Sequence, residues 1–158
     1  IWASSKYPLL IAWSRSVETP VVRGGDKPYQ LHVDVTGAQA LMLVVEEADG
    51  ADVLRVTFEG AYNASPQWSP RGDRIVFVSQ AGGLFKISAI NPDRSGFRLL
   101  TNGPGSDENP SWSSNGRQIV FSSNREGRWN IYIMNPDGTG IERLTPNDAN
   151  YTSPAWSP

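Results

Sequence analysis

Ser65-Pro66-Gln67-Trp68-Ser69-Pro70 returns as Asn109-Pro110-Ser111-Trp112-Ser113-Ser114, and again as Ser153-Pro154-Ala155-Trp156-Ser157-Pro158. The three tryptophans stand 44 residues apart (112 − 68 and 156 − 112). The same shift of 44 carries Arg74-Ile75-Val76-Phe77 onto Gln118-Ile119-Val120-Phe121, and Asn91-Pro92-Asp93 onto Asn135-Pro136-Asp137. Thr57, Thr101 and Thr145 fall on it too, preceded by Val56, Leu100 and Leu144. Four separate signatures on one period define an internal repeat.

Within one period the pattern predicts four short strands. Pro-x-Trp-Ser opens the first, and Pro70-Arg71-Gly72-Asp73 or Ser114-Asn115-Gly116-Arg117 supplies a tight turn. In the second, Ile75, Phe77 and Ser79 interleave with Val76 and Val78, as in a strand covered on both faces. The third, Trp129 to Met134, ends at Asn135-Pro136-Asp137-Gly138, where Pro fixes φ and Gly accepts positive φ. Ile141 to Thr145 forms the fourth. Period-2 patterning without a sustained i, i+3, i+4 pattern predicts an all-β chain. Four antiparallel strands per 40–45 residues is the pattern of a β-propeller blade, in which the repeated Trp packs between blades.

Composition agrees. Of 158 residues, 39% are apolar, enough for a packed core, and 15 Gly, 12 Pro and six Trp suit a turn-rich β fold. Fourteen basic against 16 acidic residues give a net charge of −2, which argues against a nucleic-acid binder. No apolar run approaches the ~18 residues that span a bilayer. Without cysteine there is no disulfide scaffold, thiolate zinc site or cysteine nucleophile, and the single histidine, His32, excludes a histidine-rich metal centre. Neither metal nor cofactor is expected.

Subtracting 44 places Leu31-His32-Val33 on Ile75-Val76-Phe77, and Leu41, Leu43 and Val45 on the third strand; Gly24 occupies the Trp position. The reading is therefore a partial propeller. Residues 1–21 are a stub strand, 22–57 a degenerate blade, 58–101 and 102–145 blades, and 146–158 the start of a further or ring-closing strand. A six-bladed ring at this period takes about 264 residues (six times 44). About three blades and two stubs do not close one, so the missing half is expected upstream of Ile1 or in another chain.

The blade motif resembles the TolB-type propeller repeat (PD40, WD40-like). The resemblance rests on Asn109 to Arg125, Asn130-Ile131-Tyr132-Ile133-Met134-Asn135-Pro136-Asp137-Gly138 and Arg143-Leu144-Thr145. Arg55 to Asn63 resembles a junction between such blades, and Pro154-Ala155-Trp156-Ser157-Pro158 the end of such a chain. Arg71 and Asn115 depart from the usual turn Asp, and Arg94 from a Gly. The resemblance, strong over residues 54–158, implies a periplasmic, non-catalytic propeller of the Tol–Pal cell-envelope system. It implies binding of the peptidoglycan-associated lipoprotein Pal at one mouth of the channel. The matching surface would be the loops into each first strand: Tyr62-Asn63, Asp107-Glu108-Asn109 and Asn150-Tyr151-Thr152. The same repeat occurs in gating propellers of prolyl-oligopeptidase-like serine peptidases, a second reading. A third is a carbohydrate-binding module, from a loose resemblance of Leu31 to Gly50 to strands of sugar-binding sandwiches.

Catalytic readings find little support. No Gly-x-Ser-x-Gly elbow occurs, a Ser-His-Asp triad would have to use His32 within a strand, and no Gly-rich phosphate loop precedes a helix. Asp107-Glu108 reads as a polar rim contact rather than an acid–base pair. Asn135 to Thr139 reads as a plain turn rather than a Ca²⁺ loop. Trp129 reads as packing, His32 as structural or exposed, and Arg125 to Arg128 as a solvated hairpin tip. The structural markers are Pro66, Pro110, Pro154, Trp68, Trp112, Trp156, Asp93, Asp137 and Gly138.

Overall fold

The computed structural model describes residues 62–156 with their side chains and, as backbone, strands β1 (Val22–Gly24), β2 (Lys27–Thr36), β3 (Ala40–Glu47) and β4 (Val53–Arg55). The stub at 1–21, Thr57 and the side chain of His32 lie outside the described residues. Eight further strands follow: β5 (Asn63–Trp68), β6 (Ile75–Ala81), β7 (Leu84–Ile90), β8 (Arg98–Leu99), β9 (Asp107–Trp112), β10 (Ile119–Ser123), β11 (Asn130–Met134) and β12 (Glu142–Arg143). They form three four-stranded antiparallel sheets, β1–β4, β5–β8 and β9–β12, each a meander in chain order. No helix occurs among the described residues. The strands Leu31 to Gly50, also read as a sugar-binding sandwich, supply the β2–β3 hairpin of the first sheet.

The core lies between the second and third sheets. Val76, Val78, Ile87, Ala89 and Leu100 of one pack against Ile119, Phe121, Tyr132 and Met134 of the other, with Trp112 at the margin. Residues 75–79 are buried throughout, as a strand with both faces covered requires. Trp68 is buried as well, and the indole N–H groups of Trp68, Trp112 and Trp156 meet no acceptor among the described residues. These rings therefore act as apolar bulk.

Each signature of the repeat has a local cause. In the first strand, Ala64 pairs with Val78 and Gln67 with Val76, so Ser65-Pro66 oppose Phe77 alone. Asn109-Pro110 oppose Phe121 in the same way. These are β-bulges, and a proline is tolerated there because the bulge asks no ladder N–H of it. The residue before it turns left-handed each time: Ser65 at φ 50°, Asn109 at 53° and Ser153 at 57°. The first strands thus begin upstream of their prolines, a correction to the expectation that the chain is still loop at Asn63 and Asp107.

The Leu-Thr signature ends the fourth strand. Leu100 and Leu144 N–H donate to the carbonyls of Ile87 and Ile131, each at 2.8 Å. Thr101 and Thr145 Oγ1 then accept the N–H of the same two isoleucines at 2.9 and 3.0 Å, replacing a backbone carbonyl where the strand stops. In the Asn-Pro-Asp turns, Asp93 and Asp137 Oδ1 accept the N–H and hydroxyl of Ser95 and Thr139. Those bonds, the hydroxyl's first, hold both carboxyls below the usual range. Gly138, at φ 87°, leaves no space for a side chain: a Cβ there would sit 2.5 Å from the Leu100 carbonyl oxygen. Its equivalent, Arg94, adopts φ 75° all the same.

Candidate functional site

One end of the sheets gathers the segments that link one sheet to the next (101–106 and 145–152) with the β6–β7 and β10–β11 turns. All eight residues expected to meet a partner lie here, yet they divide into buried and accessible groups. Asn63 and Asp107 are buried, not exposed, because each already belongs to a strand of a packed sheet. Tyr62 is half-buried, its ring 4.9 Å from that of Phe85 and packed against the core. Glu108, Asn109 and Tyr151 are half-buried, and Asn150 and Thr152 are exposed.

Asp107 anchors a buried charge cluster that the sequence did not reveal. Its Oδ2 lies 3.1 Å from Lys86 Nζ on β7 and its Oδ1 2.9 Å from Arg125 Nη2 after β10. The Lys86 ammonium also donates to the Gly105 carbonyl at 2.6 Å. The Arg125 guanidinium donates to Ser123 Oγ and lies over the Phe121 and Tyr132 rings, 5.5 and 4.9 Å from their centroids. Arg125 is therefore not part of a solvated tip: its side chain is 17% exposed and joins two charge-assisted contacts. The available signal was Lys86 itself, a cation within an apolar third strand where the next repeat carries Asn130. Asn130 is also buried and bonds instead to Asn147 and Thr145.

The segment 145–152 is fixed by side chains of its own sheet. Trp129 N–H donates to Asn150 Oδ1 (3.1 Å), Tyr151 N–H to the Trp129 carbonyl (2.8 Å), and Arg128 Nη1 to the Asp148 carbonyl (2.7 Å). The Tyr151 hydroxyl donates to Asp148 Oδ1 at 2.9 Å, which raises its pKa. One repeat earlier, Phe85 N–H donates to Ser106 Oγ at 3.2 Å. A shared device thus holds successive linkers at equivalent positions, presenting aromatic, amide and carboxylate groups on ordered backbone.

Glu108 differs from its neighbours. Arg143 and Glu126 pair with each other, Arg128 and Asp148 are bonded within the linker, and Asp107 is occupied by two cations. The Glu108 side chain makes no hydrogen bond or ion pair among the described residues, and burial pushes its carboxyl pKa up. No three His, Cys, Asp or Glu residues come together as a metal site among the described residues, and no helix there is long and apolar enough to cross a membrane.

The model of the TolB β-propeller domain family (PD40) matches residues 35–158. The Tol-Pal system protein TolB of Gluconobacter oxydans is 51% identical over 39 residues, 25% of this chain and 9% of that protein. The crystal structure of TolB from Acinetobacter baumannii superposes with a TM-score of 0.63 at 26% identity, covering 77% of this chain and 30% of that one. A Mycobacterium tuberculosis puromycin-hydrolysing peptidase shares the fold, with a TM-score of 0.59 at 19% identity over 80% of this chain and 22% of its own. The match spans less than a third of each of these proteins. With more than half of its residues matched, and with the blade structure that the repeat encodes, the chain belongs to the TolB β-propeller domain family.

Proposed function

We propose that the chain is part of a periplasmic, non-catalytic propeller that works by protein recognition in a Tol–Pal type envelope system. Its partner is Pal, or a protein that presents the same surface. The observation that carries this reading is the pre-ordered rim of a TolB-family chain: the linkers are held at equivalent positions by Ser106 and Asn150, Tyr62 packs on Phe85, and Glu108, Asn109, Tyr151 and Thr152 stand beside them. One partner can then contact several blades at once, and ordered backbone reduces the entropy lost on docking. Asn63 and Asp107 serve the same rim from beneath.

In this reading residues 22–57, 58–101 and 102–145 are successive blades, and 1–21 and 146–158 belong to neighbouring ones. Support comes from the outer face of the last sheet. Leu144 is 52% exposed where its equivalent Leu100 is 6% exposed under the following sheet, so a further sheet of the same repeat has an apolar seat there. Titrating purified Pal into the full-length protein by calorimetry tests the reading. Saturable binding is expected, and its absence with a folded, complete propeller would overturn it. The likeness to the peptidase favours one alternative, a gating propeller, which a hydrolase domain in the same polypeptide would identify.

A further inference from the structure

We propose that Asn102 is a site of spontaneous chemical modification: it cyclises onto Gly103 and becomes aspartate or isoaspartate. The chain contains two Asn-Gly pairs, Asn102-Gly103 in the linker 101–106 and Asn115-Gly116 in the β9–β10 turn. In both, the nucleophile is a glycine nitrogen that no side chain shields. The fold separates them. Asn115 Oδ1 accepts the Ser113 hydroxyl and the Arg117 N–H, each at 2.9 Å, and Gly116 N–H donates to the Ser113 carbonyl at 2.8 Å. That turn occupies the attacking nitrogen and fixes the side-chain carbonyl it would attack. The linker, in contrast, is anchored only on either side of Asn102-Gly103. Leu100 and Thr101 N–H donate to the Ile87 carbonyl, and Gly105 and Ser106 are held by Lys86, Phe85 and Asn124. Between those anchors Asn102 and Gly103 are exposed and make no hydrogen bond among the described residues. Nothing approaches the place of a Gly103 Cβ, so the pair has room to close a ring.

The Gly103 nitrogen, its proton taken by hydroxide, bonds to Asn102 Cγ as the Cγ–Nδ2 bond breaks and Nδ2 departs as ammonia. Water then opens the cyclic imide at either carbonyl. Water is the only co-reactant, and nothing is oxidised or reduced. The isoaspartyl product routes the backbone through the side chain and lengthens the linker. Either product adds a negative charge at the end where the linkers gather, whether or not a partner docks there. The test incubates the full-length protein at mildly alkaline pH, folded or in guanidinium chloride, and follows both sites by peptide-mapping mass spectrometry. In the folded protein position 102 is expected to convert about tenfold faster than position 115, or more, since the turn must first give up its hydrogen bonds. In guanidinium chloride the two rates should converge. Asn102 unchanged in the folded protein, rates there equal to or below those at 115, or a contrast that persists in guanidinium chloride would each overturn the assignment.

Discussion

Asp107→Asn should be among the most damaging single substitutions in the described part of the chain. The carboxylate is fully buried between Lys86 and Arg125, at 3.1 and 2.9 Å, and Lys86 is itself 3% exposed. An amide of the same shape leaves the ammonium with the Gly105 carbonyl as its main acceptor and no counter-charge. Breaking a buried pair from one side costs about 3–5 kcal/mol. That is a large share of the roughly 5–15 kcal/mol that holds a domain folded. Lys86→Met should cost less, because Arg125 still neutralises Asp107. With Lys86→Met and Asp107→Leu combined, most of the loss should return, since Arg125 can turn its head into solvent. Urea denaturation followed by tryptophan fluorescence of the unaltered chain, Lys86→Met, Asp107→Leu and the double variant gives the four corners of the cycle. A loss below about 1 kcal/mol for Asp107→Asn would match an exposed pair and refute the reasoning. A coupling between the two sites near zero would refute it equally.

The repeat supplies its own controls for two further substitutions. Arg94→Gly should stabilise by roughly 1 kcal/mol, because Arg94 holds φ 75° where the next repeat uses glycine, and Gly138→Ala should cost about 2 kcal/mol or more, given φ 87° and the Leu100 carbonyl against any Cβ; thermal midpoints check both. Trp68→Phe should retain most of the stability that Trp68→Ala loses, about 3–5 kcal/mol, since the indole N–H bonds to nothing described. Acid should weaken the Asn-Pro-Asp turns. Asp93 and Asp137 carry lowered pKa values, so the stability they add is present above the ordinary carboxylate range and is lost as pH falls through and below it. Unfolding curves of Asp137→Asn should therefore differ from those of the unaltered chain at neutral pH and converge with them in acid. Glu108 has the opposite sign: its raised pKa makes the charged form unfavourable to the fold, so Glu108→Gln should not destabilise at neutral pH.

The fold was legible because its determinants are local and recur. Proline at a bulge, threonine closing the outer strand and glycine in a left-handed turn leave marks that recur at the 44-residue period, and the sheets follow from those marks. The site was less legible because exposure is a tertiary property. Asn63 and Asp107 read as loop residues beside a proline, yet the bulge at Ser65-Pro66 and Asn109-Pro110 lets the strand run past that proline and carries them into the packed sheets. Arg125 read as a hairpin tip beside Glu126 and Gly127, and nothing nearby in sequence announces that it folds back over Phe121 and Tyr132 to reach Asp107. Lys86 was visible as a misplaced charge, but its partner, 21 residues away, was not. Residues that break the repeat carried information which the repeat itself could not.

Where a partner docks is the central question. The two ends of β9, a six-residue strand, lie roughly 20 Å apart, so one end can be engaged without the other. A photo-crosslinking side chain placed in turn at exposed Asn150, on the linker end, and at exposed Asn115, on the opposite turn, distinguishes them. With Pal present, the protein should yield a crosslinked product from position 150 and none from position 115. Capture from position 115 alone would contradict the proposed rim.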